Sequence, residues 1–91
     1  MTEKLKIELI TGTTCPACVT MKARLKAVID EIDPTRISYQ EIDILEDLDY
    51  AVKLGVLSTP AITINGRLAF SSPPSLKRLR HELQQQLAVP K

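Results

Sequence analysis

The fold is decided near the start of the chain, where residues 4–34 read KLKIELITGTTCPACVTMKARLKAVIDEIDP. In residues 4–10, charged and apolar side chains alternate with the two-residue period of a β-strand. From Pro16 onward, apolar residues recur every three or four positions, which is the period of an amphipathic helix. Proline suits the first helical position, where the N–H that it lacks has no intrahelical partner, and Asp33-Pro34 marks the helix end. This stretch therefore predicts a strand, a short loop and a helix.

The next part of the chain predicts a second strand and a second helix. Residues 36–42 show an imperfect alternation, with Ile37, Tyr39 and Glu41 on one side of the strand and Ser38, Gln40 and Ile42 on the other. A short helix is then predicted from the spacing of Leu45, Leu48 and Val52. Gly55 is suited to close this helix as a C-terminal cap.

A hairpin and a third helix complete the predicted elements. Residues 61–64 form an apolar run, and Asn65-Gly66 is the preferred dipeptide of a two-residue type I′ turn, which leads into a strand over residues 68–70. Ser72 and Pro73 have the pattern of a helix cap and first helical residue. Leucines at helical spacing follow, and the helix is predicted to end at Val89-Pro90; these leucines are Leu76, Leu79, Leu83 and Leu87.

The predicted order is β-α-β-α-β-β-α, which belongs to the α/β class. The first βαβ unit favours a parallel strand pair with a right-handed crossover. Together with the hairpin, it predicts a four-stranded mixed sheet with helices on both faces. A chain of 91 residues has the size of one domain, so we expect a single domain over residues 1–91.

Composition excludes several classes of function. The net charge of +1 and the 3% aromatic content argue against nucleic-acid binding, which usually needs a basic surface and often stacking side chains. No apolar run approaches the 18–20 or so residues that span a bilayer, and the first ten residues lack the apolar centre of a signal peptide. We therefore expect a cytoplasmic monomer that binds neither membranes nor nucleic acid.

The chemistry is expected at Cys15-Pro16-Ala17-Cys18, between the first strand and the first helix. Cys15 falls at the helix cap, where free N–H groups and the helix dipole favour an anionic sulfur. Such a position can lower a cysteine pKa from roughly 8.5 to about 3.5–7.5. Cys18 starts the apolar side of the helix and should be less exposed. We therefore expect Cys15 to attack a substrate disulfide and Cys18 to resolve the mixed disulfide.

The spacing of the two cysteines is also compatible with a structural role or with metal binding. They could be ordinary buried residues, or they could form part of a metal site. Zinc usually takes four ligands, and the chain offers only these two cysteines and His81, so a metal site would need acidic ligands or a second chain. A disulfide across so short a loop would stabilise the fold little, so the pair is a poor structural crosslink.

The chain resembles the thioredoxin-like superfamily, in particular its short glutaredoxin-sized members and small thioredoxin-like disulfide proteins. The resemblance includes the Cys-Pro-Ala-Cys motif, the segment KLGVLSTP at residues 53–60, and the Asn65-Gly66 hairpin. It implies that Pro60 is a cis-proline opposite the two cysteines and that Thr59 pairs with substrate backbone. It also implies substrate contacts at Thr14, Pro16 and Ala17. Pro60 has no N–H that could pair with a neighbouring strand, and the free backbone groups of Thr59 suit binding of an extended peptide by strand addition.

The chain also departs from the patterns of its relatives. Thioredoxins usually carry Trp where this chain has Thr14, and a buried carboxylate where it has Leu9; Glu8 is one residue away and should face the other side of the sheet. Glutaredoxins often carry Tyr in place of Ala17 and a Gly-Gly-X-Asp stretch where this chain has residues 70–73, so the signal for glutathione binding is absent. Because Leu9 stands where thioredoxins carry the buried carboxylate, the proton acceptor for Cys18 is not assigned.

Three hypotheses follow. The favoured one is a thiol–disulfide oxidoreductase that reduces protein disulfides without a bound cofactor and receives electrons from a reductase or a low-molecular-weight thiol. The second is a dimer bridged by a metal or an iron–sulfur cluster through Cys15 of each chain. The third is a binding module whose affinity for a partner depends on its redox state.

Overall fold

The computed structural model describes residues 4–12, 15–56 and 58–88, and it contains the predicted order of elements. Four strands are present: β1 (Leu5–Thr11), β2 (Ile37–Asp43), β3 (Ala61–Ile64) and β4 (Arg67–Phe70). The three α-helices are α1 (Pro16–Ile32), α2 (Leu48–Leu54) and α3 (Leu76–Ala88), and a short 3-10 turn, Pro34–Arg36, precedes β2. None of the helices in these ranges is both long and apolar enough to cross a bilayer.

The strands form one mixed sheet in the order β2-β1-β3-β4. β1 and β2 are parallel, whereas β1 with β3 and β3 with β4 are antiparallel. The carboxyl ends of β1 and β2 and the amino end of β3 therefore meet at one edge of the sheet. The segments that carry the cysteines and Pro60 are attached at this edge.

Apolar side chains are buried on both faces of the sheet. The larger cluster joins the odd-numbered residues of β1, such as Ile7 and Leu9, to α1 and α3. The smaller cluster joins Ile10 and Ile42 to Ala51 of α2. The predicted alternation along β1 is therefore confirmed, and it directs successive side chains to opposite faces.

The hairpin prediction is confirmed. Asn65 and Gly66 both have positive φ values, 52° and 79°, as a type I′ turn requires. The turn is also attached to β1: the Asn65 N–H donates to the Lys6 carbonyl at 2.7 Å, and the Lys6 N–H donates to Oδ1 of Asn65 at 2.9 Å.

The helix predicted from Leu45, Leu48 and Val52 begins only at Leu48, and these apolar residues do not form its buried side. Leu45, Leu48 and Val52 are 69%, 53% and 64% exposed, whereas Ala51 is fully buried. Ala51 packs in one cluster with Ile10 and Ile42 of the sheet, so its side of α2 is the buried one. Gly55 closes the helix as predicted, in the left-handed conformation with φ of 84°.

The predicted start of the last helix is also wrong. α3 begins at Leu76, and the Ser75 hydroxyl accepts a hydrogen bond from the Arg78 N–H at 3.2 Å, as a capping residue does. Helical geometry is disfavoured for a residue that precedes a proline, so Pro73, which precedes Pro74, is a poor first helical residue. The predicted end at Val89-Pro90 lies outside the described residues.

Candidate active site

Cys15 is the N-cap of α1, as the sequence predicts. Its Sγ accepts a hydrogen bond from the Cys18 N–H at 3.1 Å, and Pro16 occupies the first helical position. The sulfur therefore lies against an N–H of the first helical turn, which also donates to the Cys15 carbonyl at 3.0 Å. This N–H and the helix dipole favour negative charge on Cys15 once the pair is reduced.

Cys15 and Cys18 form a disulfide with 5.2 Å between their Cα atoms. Cys18 is 5% exposed, whereas Cys15 is of intermediate exposure. The predicted difference in access is therefore present, with the cap sulfur nearer to solvent. Pro16 and Ala17, which separate the two cysteines, are exposed and available for contact. Thr14, the predicted contact residue before the motif, lies outside the described residues.

Thr59 lies beside Cys15, although the two residues are 44 positions apart in sequence. The Thr59–Pro60 peptide bond is cis, which confirms the predicted isomer. The Thr59 hydroxyl lies 3.9 Å from Sγ of Cys15 and donates toward it. β3 begins directly after Pro60 and pairs with β1, so the central strands of the sheet place Thr59 next to the cap of α1.

Gly12 belongs to the site, although the sequence pattern indicates only that it is part of a loop. A Cβ atom at this position would lie 3.0 Å from Oγ1 of Thr59 and 3.9 Å from Cβ of Cys15. The absence of a side chain therefore allows the end of β1 to pass close to Thr59. The available signal in the sequence was a glycine between a strand and a Cys-X-X-Cys motif, a place where backbone often approaches closely.

A cleft of about 380 Å³ opens beside the disulfide. An ion pair lies in its wall: Nζ of Lys22 is 3.1 Å from Oε2 of Glu41. Lys22 comes from α1 and Glu41 from β2, and no motif in the sequence assigns either residue to the site. The full lining is Thr11, Gly12, Cys15, Pro16, Cys18, Val19, Lys22 and Glu41.

Glu8 is buried on the opposite face of the sheet from α1, as the alternation along β1 predicts. It is 2% exposed and accepts hydrogen bonds from the hydroxyls of Tyr50 and Thr63. The hydrogen bond to Glu8, together with burial and nearby negative charge, raises the pKa of Tyr50. Glu8 therefore belongs to the contact between α2 and the sheet and does not line the cleft beside Cys18.

Comparison of the sequence with known proteins gives consistent matches. Residues 5–84 match the family model described as "Thioredoxin domain". The chain is 31% identical to thioredoxin of Methanocaldococcus jannaschii over 84 residues, which cover 92% of this chain and 98% of that protein. It is 35% identical to a probable thioredoxin of Methanothermobacter thermautotrophicus over 82% of this chain and 87% of that protein. A shorter match, 39% identical over 54 residues, covers 59% of this chain and 10% of NADPH-dependent thioredoxin reductase 3 of Arabidopsis thaliana.

Solved structures with the same fold include thioredoxin 1 of Thermosipho africanus, with a TM-score of 0.73, 21% identity and coverage of 90% of this chain and 93% of that chain. A thioredoxin variant of Halobacterium salinarum has a TM-score of 0.80 at 13% identity and covers 98% of this chain and 80% of that chain. At these identities, the likeness concerns the arrangement of strands and helices alone.

Proposed function

The chain belongs to the thioredoxin family, and on that premise we propose that it reduces protein disulfides, with Cys15 as the nucleophile and Cys18 as the resolving cysteine. It is a thiol–disulfide oxidoreductase. The observation that supports the assignment of roles is the position of Cys15 at the cap of α1, with a more buried Cys18 one turn later. The matched relatives do not support the metal-bridged dimer or the redox-dependent binding module.

In the first step, the Cys15 thiolate attacks one sulfur of the substrate disulfide. A bond forms between Cys15 and that sulfur, and the other substrate sulfur leaves with the electron pair and takes a proton from solvent. The amides at the start of α1 favour the thiolate that this step requires. The product is a mixed disulfide between Cys15 and the substrate.

In the second step, Cys18 loses its proton and attacks Sγ of Cys15. The bond between Cys15 and the substrate breaks, the substrate sulfur leaves as a thiolate and is protonated, and the Cys15–Cys18 disulfide forms. Two electrons have then passed from the protein to the substrate. The disulfide seen in the structure is the product of this step.

Substrate recognition is proposed to use the surface around the two sulfurs. Thr59 lies beside Cys15, at the edge of the sheet where β3 begins, and its backbone is proposed to pair with an extended substrate segment by strand addition. Pro60, Pro16 and Ala17 are proposed to contact the same segment. The exposure of Pro16 and Ala17 to solvent supports this role.

The reduced protein has to be regenerated after each cycle. We propose a reductase or a low-molecular-weight thiol as the electron source. The sequence match to a part of a thioredoxin reductase is consistent with the first of these, because that enzyme contains a segment similar to this chain. Comparing rates with a thioredoxin reductase and with glutathione as sole donor would identify the source. A cytoplasmic location is part of the same proposal.

The roles of the two cysteines can be tested with a protein substrate that contains an accessible disulfide and with dithiothreitol as the electron source. We expect Cys15→Ser to abolish reduction above the rate with dithiothreitol alone. We expect Cys18→Ser to accumulate a one-to-one mixed disulfide with the substrate, detectable by mass spectrometry. Full activity of Cys15→Ser, or trapping through Cys18 in that variant, would refute the proposal.

A further inference from the structure

Lys22 and Cys18 contribute to the wall of the same cleft. They are four residues apart on α1, so their Cβ atoms are neighbours on one side of the helix, about 5–6 Å apart. The Cα–Cβ bonds of a helix tilt toward its N-terminus, so the Lys22 side chain leans toward the turn that contains Cys18. Its ammonium group is held at the cleft by Glu41, at 3.1 Å.

Cys18 lacks the advantage that the cap gives to Cys15. Cys18 is 5% exposed and lies within the first turn of α1, and the Cys18 N–H donates to the sulfur of Cys15 and not to that of Cys18. Burial disfavours the thiolate, yet the thiolate is the form that must attack in the resolving step. A nearby positive charge would offset this cost.

We propose that Lys22 stabilises the thiolate of Cys18 and thereby accelerates the resolving step, an inference that rests on the proposed disulfide reduction. An ammonium group has three N–H donors, so its bond to Glu41 leaves two that can face the sulfur. Glu41 acts as the anchor that keeps the ammonium at the cleft while the disulfide is closed.

The surrounding charges are consistent with this role. Lys22 is the only cation among the described residues that line the cleft, and Glu41 from β2 is the only anion among them. Tyr39, on the same side of β2, has its pKa raised to about 12 by burial and by the charge of Glu41, so it is neutral near pH 7. β1 contributes the uncharged Thr11, and Arg24, further along α1, donates to the Pro74 carbonyl at 3.3 Å.

The reaction itself is unchanged by the proposal. The proton of the Cys18 thiol passes to water in the cleft, and the resulting thiolate attacks Sγ of Cys15. The electron pair of the broken sulfur–sulfur bond leaves on the substrate sulfur, which is protonated by solvent. Lys22 takes no part in the proton transfer and acts only through its charge.

The two steps can be separated by mixing reduced protein with dipyridyl disulfide, an uncharged probe that is not itself attracted to Lys22. One pyridinethione is released when the mixed disulfide forms, and a second is released when Cys18 resolves it. Loss of the cation in Lys22→Met is expected to lower the thiolate fraction of Cys18 by about twofold to fivefold, because the charge is partly exposed. Because a more basic thiolate is also a better nucleophile, the second release should slow by about twofold near pH 7.

Matched variants distinguish the charge of Lys22 from its packing. Lys22→Arg keeps the charge and should restore the second rate, whereas Lys26→Met removes an exposed lysine one turn further along α1 and should leave both rates unchanged. The difference between wild type and Lys22→Met should shrink at high salt, because added ions screen a partly exposed charge. A merely structural role would not produce this salt dependence.

The outcome distinguishes this inference from the proposed function. If wild-type protein releases both pyridinethiones and Lys22→Met does so at the same second rate, the role of Lys22 is refuted and disulfide reduction stands. If Lys22→Met slows the second release equally at low and high salt, the electrostatic role is also refuted. If wild-type protein fails to release the second pyridinethione, the proposed reduction mechanism itself fails.

Discussion

The Tyr50 hydroxyl donates to the buried carboxylate of Glu8, at 2.7 Å from Oε1 and 2.9 Å from Oε2. Thr63 of β3 donates to the same carboxylate at 3.0 Å. These bonds connect α2 to the two central strands of the sheet. A buried carboxylate is costly unless it is hydrogen-bonded, so the attachment of α2 depends on a polar contact as well as on the apolar cluster around Ala51.

Tyr50→Phe should destabilise the protein. The substitution removes one of the hydrogen-bond donors to the buried Glu8 carboxylate. We expect this loss to reduce the free energy of unfolding by about 1–3 kcal/mol. Denaturant unfolding of the oxidised protein, followed by circular dichroism, measures this change. An unchanged midpoint and slope would show that the bond between Tyr50 and Glu8 contributes nothing to stability.

Tyr39→Phe provides the matched control for that substitution. The Tyr39 hydroxyl is buried and has no hydrogen-bond partner in the part of the chain that the structure describes. Removing a buried hydroxyl without a partner should leave the free energy of unfolding unchanged or slightly increase it. Because the substitution keeps the ring and removes only the hydroxyl, a loss as large as that of Tyr50→Phe would contradict the absence of a partner for the Tyr39 hydroxyl.

The tyrosines should make the protein sensitive to alkali. Burial, with a contribution from the charge of Glu41, raises the pKa of Tyr39 to about 12, whereas an unfolded tyrosine titrates near pH 10. Because folding raises this pKa, the contribution of neutral Tyr39 to the free energy of unfolding is fully present below about pH 10. It is lost as the pH rises toward 12.

The chain contains two tyrosines and no tryptophan, so Tyr50→Phe leaves Tyr39 as the only tyrosine. Tyrosinate absorbance in this variant should show a midpoint well above that of the same protein unfolded in urea. Coincident midpoints for the folded and unfolded variant would contradict the pKa assigned to Tyr39.

Gly12→Ala should impair the active site more than the fold. The added Cβ would lie 3.0 Å from Oγ1 of Thr59, so the Thr59 side chain would have to move away from Cys15. We expect the rate of disulfide reduction to fall by a few fold, because displacing a group next to the reacting sulfur alters substrate placement. In a Thr59→Ala background, where Oγ1 is absent, Gly12→Ala should have a smaller effect. Equal losses in both backgrounds would exclude a steric cause.

The two sides of α2 should tolerate substitution very differently. Val52 is 64% exposed, so Val52→Ala should change the free energy of unfolding by no more than about 0.5 kcal/mol. Ala51 is fully buried, and Ala51→Leu should cost about 1–3 kcal/mol because it overpacks the contact with the sheet. Denaturant unfolding of both variants checks this; a larger loss for Val52→Ala would contradict the observed orientation of the helix.

Local patterns in the sequence were sufficient for the elements that depend on nearest neighbours along the chain. The alternation in β1, the periodicity of α1 and the Asn65-Gly66 turn each predict their own geometry, because side-chain period and backbone preference are properties of a few consecutive residues. The cap position of Cys15 followed from the same local pattern. Pro60 as a cis-proline required the family resemblance, since cis bonds are a minority even before proline.

Which residues from distant segments meet depends on how the strands and helices pack. The pattern of leucines and valine around α2 did not indicate that Ala51 is the residue that packs with Ile10 and Ile42. The sequence could not bring Thr59 to Gly12, or Glu41 to Lys22, since these contacts depend on strand order and register between segments far apart in the chain. Local sequence thus specified the two cysteines and their helix, whereas the packing of the sheet against its helices set the surroundings in which the sulfurs react.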